Sequence, residues 1–526
     1  MFDILITRGT VIDGTGRSGY PAEVGIKMGR VGAIGNLNGA RGRLTIDAAG
    51  MVVAPGFIDP HSHSDAAFLE PPIPELKVRQ GITTEVVQHC GGGISPITPK
   101  NSAHLPGVTR TPDGRPRWQS LGGLLDLMGK APLPTNVAFL APHGTIRAAV
   151  MGMDNRAPTE DEMQRMEDLL QRELEEGAVG LSSGLVYLPG CFAQTEELMR
   201  LCRHVGRAGG VYATHMRNEG YHLEEAINES VAISEQSGAA LEIAHLKTLG
   251  KDNWHKTSWV IDALSRARAR GVRVTADQYP YVAGSGGLTT VLPRWAVAGG
   301  TGAMLARLRD PETRKKIRAE YDLDATAWDN RGKSLGWENM VVAATSKNQA
   351  LEGKSLLQIA QERDRDPAET VFDLLLEEDG RVTLINYFGS EESIETFMRL
   401  PYVAACTDAG VPTGASAHPR AYGTMPRILG RYVRQHKVIS IEEAVRKMTS
   451  LPASIYGFKD RGVLRPSASA DIVVFDPERV IDNSTFTNPY AYPTGIEHVV
   501  VNGEVEVSRG QFTGRTAGQV LTHQAC

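Results

Sequence analysis

The feature that most constrains the fold is an alternation repeated along the chain. A short apolar run is followed by a polar or glycine-rich break and then by a helical stretch. Parallel strands need long crossovers, usually helices, so this pattern predicts a parallel α/β architecture. Eight apolar runs are present: VVAPGFIDPHSHSD, ITTEVVQHCGG, NVAFLAPHG, AVGLSSGLVY, VYATHMRNE, LEIAHLK, VRVTADQYPY and VAACTDAG. Eight such units predict a (β/α)8 barrel, which we place at residues 55–460.

Two helices can be located from their N-terminal residues. Thr159 and Glu162 predict a capping box that opens a helix over 159–176, and Gly177 ends it. Ser440 and Glu443 repeat the same spacing at the start of a later helix.

Part of the barrel region departs from the alternation. Residues 284–345 contain no clean βα unit, and we interpret them as an insertion over the barrel mouth that could act as a lid. VTLINYF at 382–388 is a ninth strand candidate.

The two ends of the chain predict a second, smaller domain. Neither end could bury a sheet face by itself, so we expect residues 1–54 and 461–526 to form one small β-sandwich beside the barrel. The strand candidates are Asp3–Thr7, Glu23–Ile34, Arg43–Ala48, Asp471–Asp476 and Glu497–Val507.

Composition excludes several classes of protein. The chain has 526 residues and a net charge of −5, and it has no basic tract interleaved with aromatics, so a nucleic-acid partner is not expected. It has no uninterrupted apolar run of about 18 residues, and its N-terminus reads as a strand rather than a signal peptide. We therefore expect a cytoplasmic protein without a membrane partner. Five unevenly spaced cysteines (Cys90, Cys191, Cys202, Cys406 and Cys526) do not form a disulfide pattern.

Metal-ligating residue types collect at the ends of the apolar runs. The carboxyl ends of barrel strands form the face where active sites are built. On a strand, the spacing of His61 and His63 points both imidazoles to one side, where they could bind one metal ion. The residues that end these runs are His61, His63, Cys90, His215, His245 and Asp408.

Each of these residues taken singly also has an ordinary structural explanation. A His-x-His pair can be a hydrogen-bonded strand end, a lone histidine can be a satisfied core residue, and most free cysteines are small buried hydrophobes. Asp408 could cap a turn before Gly410. Their recurrence at matching strand ends favours a metal site. Cys90, His215 and His245 supply the three N/S ligands of a catalytic zinc, and Asp408 could accept the proton of a bound water.

Longer motifs resemble one enzyme family. GFIDPHSHSD after a short β segment is similar to the opening signature of the amidohydrolase superfamily. Nearly the whole chain resembles the D-aminoacylase (N-acyl-D-amino-acid deacylase) branch of this superfamily. The C-terminal block is the most specific part of this resemblance. The motifs that carry the resemblance are CGGGISP, GAVGLSSGLVYLPG, THMRNEG, IAHLK, ADQYPY, HPRAYGTMPRILGRYVR, EEAVRKMTSLPA and DRGVL.

The resemblance implies a barrel with a split β-sandwich and one tight zinc ion on Cys90, His215 and His245. It allows a second, weaker zinc at His61, His63 and Asp408. Many amidohydrolases bridge two metals with a carboxylated lysine on the fourth strand, but that run has no lysine here. Cys90 would then supply the bridging anion, and the missing lysine counts against a typical hydantoinase or dihydroorotase.

The resemblance also implies which residues surround an N-acyl amino acid substrate: Tyr187, Lys247, Tyr279, Ser285 and Arg420. Lysine and arginine can bind its carboxylate. Ordinary ion pairing would also account for Lys247 and Arg420, and packing in the wall of a cavity would account for the tyrosines. Arg294 in LPRW stands where relatives often carry a neutral residue; facing the pocket, it would favour an acidic side chain. His89 replaces a usual asparagine, and TDAG replaces the commoner Ser-Asp-Gly.

The expected activity is zinc-assisted hydrolysis of the amide bond of N-acyl-D-amino acids. Asp408 would take the proton from water and return it to the departing amine, and His143 is a candidate oxyanion donor. One alternative is another amidohydrolase reaction, either ring opening of a cyclic amide or cleavage of a dipeptide. A more remote alternative is a non-catalytic barrel that serves as a scaffold.

Overall fold

The eight apolar runs form the parallel strands of a barrel. The computed structural model describes residues 1–69, 71–103, 105, 107–111, 113–323, 328–412 and 417–523. Neighbouring barrel strands pair in parallel register. In chain order the strands are Phe57–Asp59, Ile82–Val87, Asn136–Phe139 continued by Ala141–Pro142, Gly180–Gly184, Val211–His215, Ala240–Ile243, Val274–Gln278 and Val403–Ala405.

The barrel closes between its eighth and first strands. Ser62 pairs in parallel with Ala409, and the backbone N–H of Asp408 donates to the carbonyl oxygen of His61 over 2.9 Å. The predicted (β/α)8 barrel is confirmed.

Helices on the outside of the barrel connect its strands. The capping box of Thr159 and Glu162 is present, as predicted, and the Ser440 side chain accepts from the Glu443 N–H. The α-helices between barrel strands are Leu121–Met128, His143–Met151, Glu160–Glu175, Thr195–Ala208, Leu223–Ser237, Thr257–Ala269 and Glu391–Met398. After the eighth strand come the α-helices Arg420–Arg427, Ile441–Met448 and Ser450–Tyr456, with a π-helix at Ile428–Gln435. Short 3₁₀ turns lie at Val78–Gln80, Gly190–Phe192 and Lys251–Lys256.

Both ends of the chain build one β-rich domain, as expected. Strands from the C-terminal part join the N-terminal strands in a single hydrogen-bonded sheet. Its strands are Phe2–Val11, Tyr20–Lys27, Arg30–Gly35, Gly42–Asp47, Val52–Pro55, Ile472–Phe475, Ile496–Val501, Glu504–Ser508 and Gln511–Phe512. Since side chains alternate along a strand, Val474 packs with Ile6 and Ile26 inside this domain, while Val473 and Phe475 pack toward the barrel helices.

Two of the predicted strands are in fact hairpins. The segment Glu23–Ile34 turns at Met28 and Gly29, whose φ angles are 50° and 72°, and Glu497–Val507 turns at Asn502 and Gly503, with φ angles of 47° and 86°. Two consecutive positive φ angles are typical of the tightest hairpin turns, for which Asn-Gly is a favoured sequence. The single-strand predictions were wrong, because each segment reverses direction at its turn and its two halves pair antiparallel.

The insertion over the barrel is larger than the predicted 284–345. Its three-stranded antiparallel sheet consists of Ala283–Gly287, Met340–Thr345 and, in the centre, Val382–Tyr387. The ninth strand candidate therefore belongs to this sheet rather than to the barrel. Its helices are Arg294–Val297, Gly300–Arg309, Pro311–Glu320, Arg331–Ser334, Leu356–Glu362 and Pro367–Glu377, with 3₁₀ turns at Leu288–Val291, Trp337–Asn339 and Gln349–Leu351.

The C-terminal segment leaves the β-rich domain and returns to the barrel. Val520–Leu521 pairs in parallel with the third barrel strand, and the N–H of His523 donates to the carbonyl of Gly177. Cys526 lies outside the described residues. Among the described helices, none has the combination of length and apolar character that a membrane crossing requires.

Candidate metal centre and active site

The six predicted metal-ligating residues come together at one end of the barrel. His215 is the last residue of the fifth strand, and the others lie just beyond the first, second, sixth and eighth strands. Cys90, His245 and Asp408 have positive φ angles of 54°, 38° and 48°. Left-handed backbone is uncommon for such residues and costs of the order of 1–3 kcal/mol each. The surrounding fold therefore holds these three side chains in strained positions at the strand ends.

The Cys90 sulfur is at the centre of the cluster. Its Sγ lies 3.4 Å from His61 Nε2, 3.7 Å from His215 Nδ1 and 3.6 Å from His245 Nε2. With Zn–S near 2.3 Å and Zn–N near 2.0 Å, the ligand atoms of a tetrahedral zinc site lie roughly 3.5 Å apart. The observed sulfur–nitrogen separations and the N/S donor set both fit zinc.

A second group of donors shares Cys90. Asp408 Oδ1 lies 3.3 Å from His61 Nε2 and 3.1 Å from His63 Nε2. One ligand atom each from His61, Cys90, His245 and Asp408 can be chosen so that all four lie within 4.8 Å of one another. These four residues therefore form a second candidate set of metal ligands, which shares Cys90 and His245 with the first.

Two buried carboxylates hold the histidines, and sequence analysis did not single them out. Glu219 Oε1 lies 3.1 Å from His245 Nδ1, and its Oε2 lies 3.6 Å from His215 Nε2. Asp277 Oδ2 lies 3.1 Å from His61 Nδ1, while its Oδ1 accepts the His245 backbone N–H over 2.6 Å. Such partners fix the ring orientation of metal-ligating histidines. The available signal was their position inside THMRNEG and ADQYPY.

The protein environment favours the charged forms of the cysteine and the aspartate. Burial by itself would raise the pKa of the Cys90 thiol, but the charge of His61 and hydrogen bonds from His215 and His245 bring it well below its ordinary value. Burial likewise opposes ionisation of Asp408, yet Arg420, His61 and His245 hold its pKa well below the usual range. Both groups are thus suited to bind a cation as anions.

Small residues on the fourth strand allow this arrangement. A Cβ placed on Gly184 would lie 1.9 Å from the carbonyl oxygen of Cys90. A Cβ on Gly91, whose φ is +70°, would lie 2.6 Å from the Gly184 nitrogen. The backbone after Cys90 therefore packs directly on the fourth strand, with no room for a side chain at Gly184.

Most of the predicted substrate-binding residues face the same cavity. It has a volume of about 410 Å³, and its walls include His63, Cys90, His215, His245 and Asp408. Tyr187, Lys247, Tyr279, Ser285 and Arg420 also line it. Lys247 Nζ lies 2.5 Å from Glu219, and Arg420 Nη1 lies 2.5 Å from Asp408 Oδ2. The guanidinium of Arg420 also stacks 4.7 Å from the Tyr279 ring centre.

Arg294 lies elsewhere. It begins the short helix Arg294–Val297, whose Ala296 and Val297 are buried. Its guanidinium donates to the carbonyl of Arg217 over 3.3 Å in a neighbouring cleft beside Trp295. Arg294 is therefore not among the residues that line the main cavity, but it lines a small pocket together with Arg331 and Asp329. Its contact with the substrate stays a prediction.

His143 is also outside this cavity. It begins a helix and is fully buried, and its Nε2 lies 2.8 Å from Glu197, which also pairs with Arg147. Its place in this ion-pair network does not support a role as oxyanion donor.

His89, the residue before Cys90, stacks on His61, with ring centres 4.0 Å apart.

Sequence analysis missed residues that the insertion brings to the cavity. Arg331, Asn386 and Phe388 line it together with Ser285. Across the barrel, the loops and helix after the second and third strands provide an apolar wall of Ile94, Leu105, Ala148 and Met153. The cavity thus has a polar side from the insertion and an apolar side opposite to it.

Comparison with known proteins agrees with this geometry. The model of the amidohydrolase family matches residues 44–507. D-aminoacylase from Alcaligenes xylosoxydans xylosoxydans is 34% identical over 526 residues, covering 100% of this chain and 98% of the relative. N-acyl-D-glutamate deacylase from the same organism is 35% identical, covering 95% and 93%.

Solved structures are similar over the whole chain. N-acyl-D-glutamate deacylase from Bordetella bronchiseptica, in complex with zinc and a phosphonate mimic of the tetrahedral intermediate, superposes with a TM-score of 0.83 at 34% identity, covering 99% of this chain and 100% of the other. A D-aminoacylase structure described as defining a novel subset of amidohydrolases gives 0.85 at 33%, with the same coverage. The chain therefore belongs to the amidohydrolase family, in the group that includes D-aminoacylase and N-acyl-D-glutamate deacylase.

Proposed function

We propose that the protein hydrolyses the amide bond of N-acyl-D-amino acids, releasing a carboxylate and a free D-amino acid. The observation that carries this proposal is the Cys90 sulfur surrounded by three histidine nitrogens at 3.4–3.7 Å. This cluster opens into a cavity that also holds Asp408, Lys247 and Arg420. The preference for D substrates rests on the names of the relatives.

Cys90, His215 and His245 would hold one zinc ion tightly, and His61, His63 and Asp408 with Cys90 would hold a second more weakly. A bound zinc supplies Lewis-acid polarisation of a carbonyl and lowers the pKa of a coordinated water. Glu219 and Asp277 keep the histidine rings oriented toward the shared sulfur.

Asp408 is the proton carrier in this proposal. Arg420 engages its Oδ2, whereas Oδ1 faces His61 and His63. Oδ1 would accept a proton as water adds its oxygen to the acyl carbon. The carbon–nitrogen bond then breaks, and Asp408 returns that proton to the leaving amine. The products are the acid and the amine, and Asp408 is again a carboxylate.

Lys247, Arg420 and Tyr279 would bind the α-carboxylate. This group is two bonds from the scissile nitrogen, so it must lie close to the ligand cluster. Lys247 Nζ lies 2.7 Å from His245 Nδ1, and Arg420 contacts Asp408. Requiring an α-carboxylate would favour a linear acyl amino acid over a cyclic amide.

The test is to incubate the zinc-loaded full chain with paired N-acetyl-D- and N-acetyl-L-amino acids. The pairs are those of Glu, Gln, Met, Leu and Phe, and free amine is measured. Release from the D members alone is the expected result. No release from any member, with zinc bound, would contradict the proposal and direct attention to cyclic amides and dipeptides.

A further inference from the structure

Arg331 is a buried cation in the cavity wall with unused hydrogen-bonding capacity. It is 6% exposed and lines the main cavity. Its Nη1 donates to Thr290 Oγ1 over 3.0 Å, but its Nε is buried without a hydrogen-bond partner. Burying a charged group without full pairing is costly. A ligand that supplied an anion here would remove that cost.

The other two cations of this wall are already neutralised. Lys247 lies 2.5 Å from Glu219 and Arg420 lies 2.5 Å from Asp408. The carboxylate nearest to Arg331 in the described residues is Asp329, at 3.6 Å. Burial raises the pKa of Asp329 and so opposes its charge, although Arg331 itself acts in the other direction. Of the three cations, Arg331 is the least neutralised.

A second donor points to the same part of the cavity. A Cβ built on Gly286 would lie 3.9 Å from Arg331 Nη1 and 4.0 Å from Asn386 Nδ2. Nothing in the backbone angle of Gly286 demands glycine, because its φ is not in the left-handed range. The missing side chain therefore leaves space beside a guanidinium and an amide, both of which line the cavity.

The position of Arg331 suits the substrate side chain rather than its α-carboxylate. The contacts described for Arg331 are with Thr290 and Asp329, both in the insertion, whereas Lys247 and Arg420 each contact the ligand cluster. We propose that Arg331, assisted by Asn386, binds an acidic side chain, and that the preferred substrates are N-acyl derivatives of acidic D-amino acids. This inference rests on the proposed deacylase function.

The experiment compares kcat/KM for N-acetyl-D-glutamate and N-acetyl-D-glutamine, which have the same shape but differ in side-chain charge. The parent protein should prefer the glutamate derivative by about 30-fold or more, since leaving one member of a buried charge pair without its partner typically costs at least this factor. Arg331→Met should lower kcat/KM for the glutamate derivative by about 100-fold and leave the glutamine derivative within about 3-fold. Arg331→Lys should retain part of the preference.

Arg381→Met is the matched control. Arg381 is in the same insertion with a side chain that is 69% exposed, and its loss should leave the ratio unchanged. Thermal melting of each variant checks folding.

Three results would overturn the inference while leaving the proposed function intact. The first is a parent enzyme that hydrolyses N-acyl-D-amino acids without preferring glutamate over glutamine. The second is an equal fall for both substrates in folded Arg331→Met. The third is loss of the preference in Arg294→Met but not in Arg331→Met. A parent protein that hydrolyses no N-acyl-D-amino acid would instead overturn the proposed function itself.

Discussion

The Glu219 carboxylate lies 3.1 Å from His245 Nδ1, on the opposite side of the imidazole ring from the Cys90 sulfur. Glu219 also contacts Lys247 at 2.5 Å and approaches His215 Nε2. One buried carboxylate thus holds a metal-ligating histidine and a lysine of the cavity wall, and it lies close to a second histidine.

Replacing Glu219 with Gln should weaken metal binding and activity together. The amide keeps the shape but loses the charge that faces His245 Nδ1 and, at longer range, His215 Nε2. Such changes typically cost about 10–100-fold in metal affinity or activity. Zinc affinity measured by competition with a chelator checks this expectation. Glu229→Gln is a suitable comparison, because Glu229 pairs with Arg217 away from the ligands. Unchanged zinc affinity in Glu219→Gln would show that Glu219 has no role in holding the metal.

Asp408→Asn should abolish turnover while zinc remains bound. The amide cannot take a proton from water, whereas Cys90, His215 and His245 are untouched. We expect kcat to fall by about 100-fold or more, in line with the loss of a general base. Metal content per chain and kcat are measured on the same preparation. A variant with nearly normal kcat would remove Asp408 from the mechanism.

Gly184→Ala should disturb the metal site through the backbone. Its Cβ would collide with the Cys90 carbonyl oxygen at 1.9 Å, so either the strand or the ligand must shift. We expect a lower melting temperature and reduced zinc occupancy. Gly302→Ala is the matched control, because a Cβ there meets nothing within 4 Å and alanine favours its helix. Full zinc occupancy in Gly184→Ala would contradict the close packing described at this position.

Glu173 should make stability depend on pH. This side chain is 1% exposed, and it accepts from Ser95 Oγ and from the Leu121 N–H. Burial raises its pKa to about 7, so between its ordinary value near 4.3 and 7 the folded state binds more protons than the unfolded state. The resulting stabilisation is complete at low pH and is lost as the pH rises through 7.

Glu173→Gln removes this titration. We compare the free energy of unfolding of the variant with that of the parent at each pH. This difference should shift in favour of the variant by about 1–3 kcal/mol between pH 4.5 and pH 8. Denaturant unfolding at several pH values, at constant metal content, measures the difference. A difference that does not change with pH would show that Glu173 is not protonated in the folded protein.

The residues at the carboxyl ends of the barrel strands could be placed from the alternation of apolar runs and helices in the sequence. The carboxyl ends of parallel strands meet at one face, so Cys90, His215, His245 and Asp408 could be brought together without knowledge of the rest of the fold. The turn at Asn502 and Gly503 is also predictable from the sequence, because Asn-Gly is a favoured pair for a two-residue hairpin loop. Both residues take the positive φ angles that such a loop requires.

Residues of the insertion could not be placed in this way. Asn386 reaches the cavity because Val382–Tyr387 pairs with Ala283–Gly287, which is about 100 residues earlier in the chain. No local pattern specifies that pairing, so nothing in the sequence predicted that Arg331 and Asn386 line the cavity. Arg294, which was predicted from its place in LPRW, lines two neighbouring clefts rather than the main cavity, and it shares one of them with Arg331.

The most direct test of the central claim is a zinc titration of the metal-free full chain. Hydrolysis of the D and L forms of N-acetylglutamate and N-acetylmethionine is followed at each step. We predict that release of amine from the D forms rises from near zero to a maximum at about one zinc per chain, that the L forms stay inactive, and that Cys90→Ala does not respond. Full activity in the metal-free chain, or equal hydrolysis of D and L forms, would contradict a zinc-dependent D-deacylase.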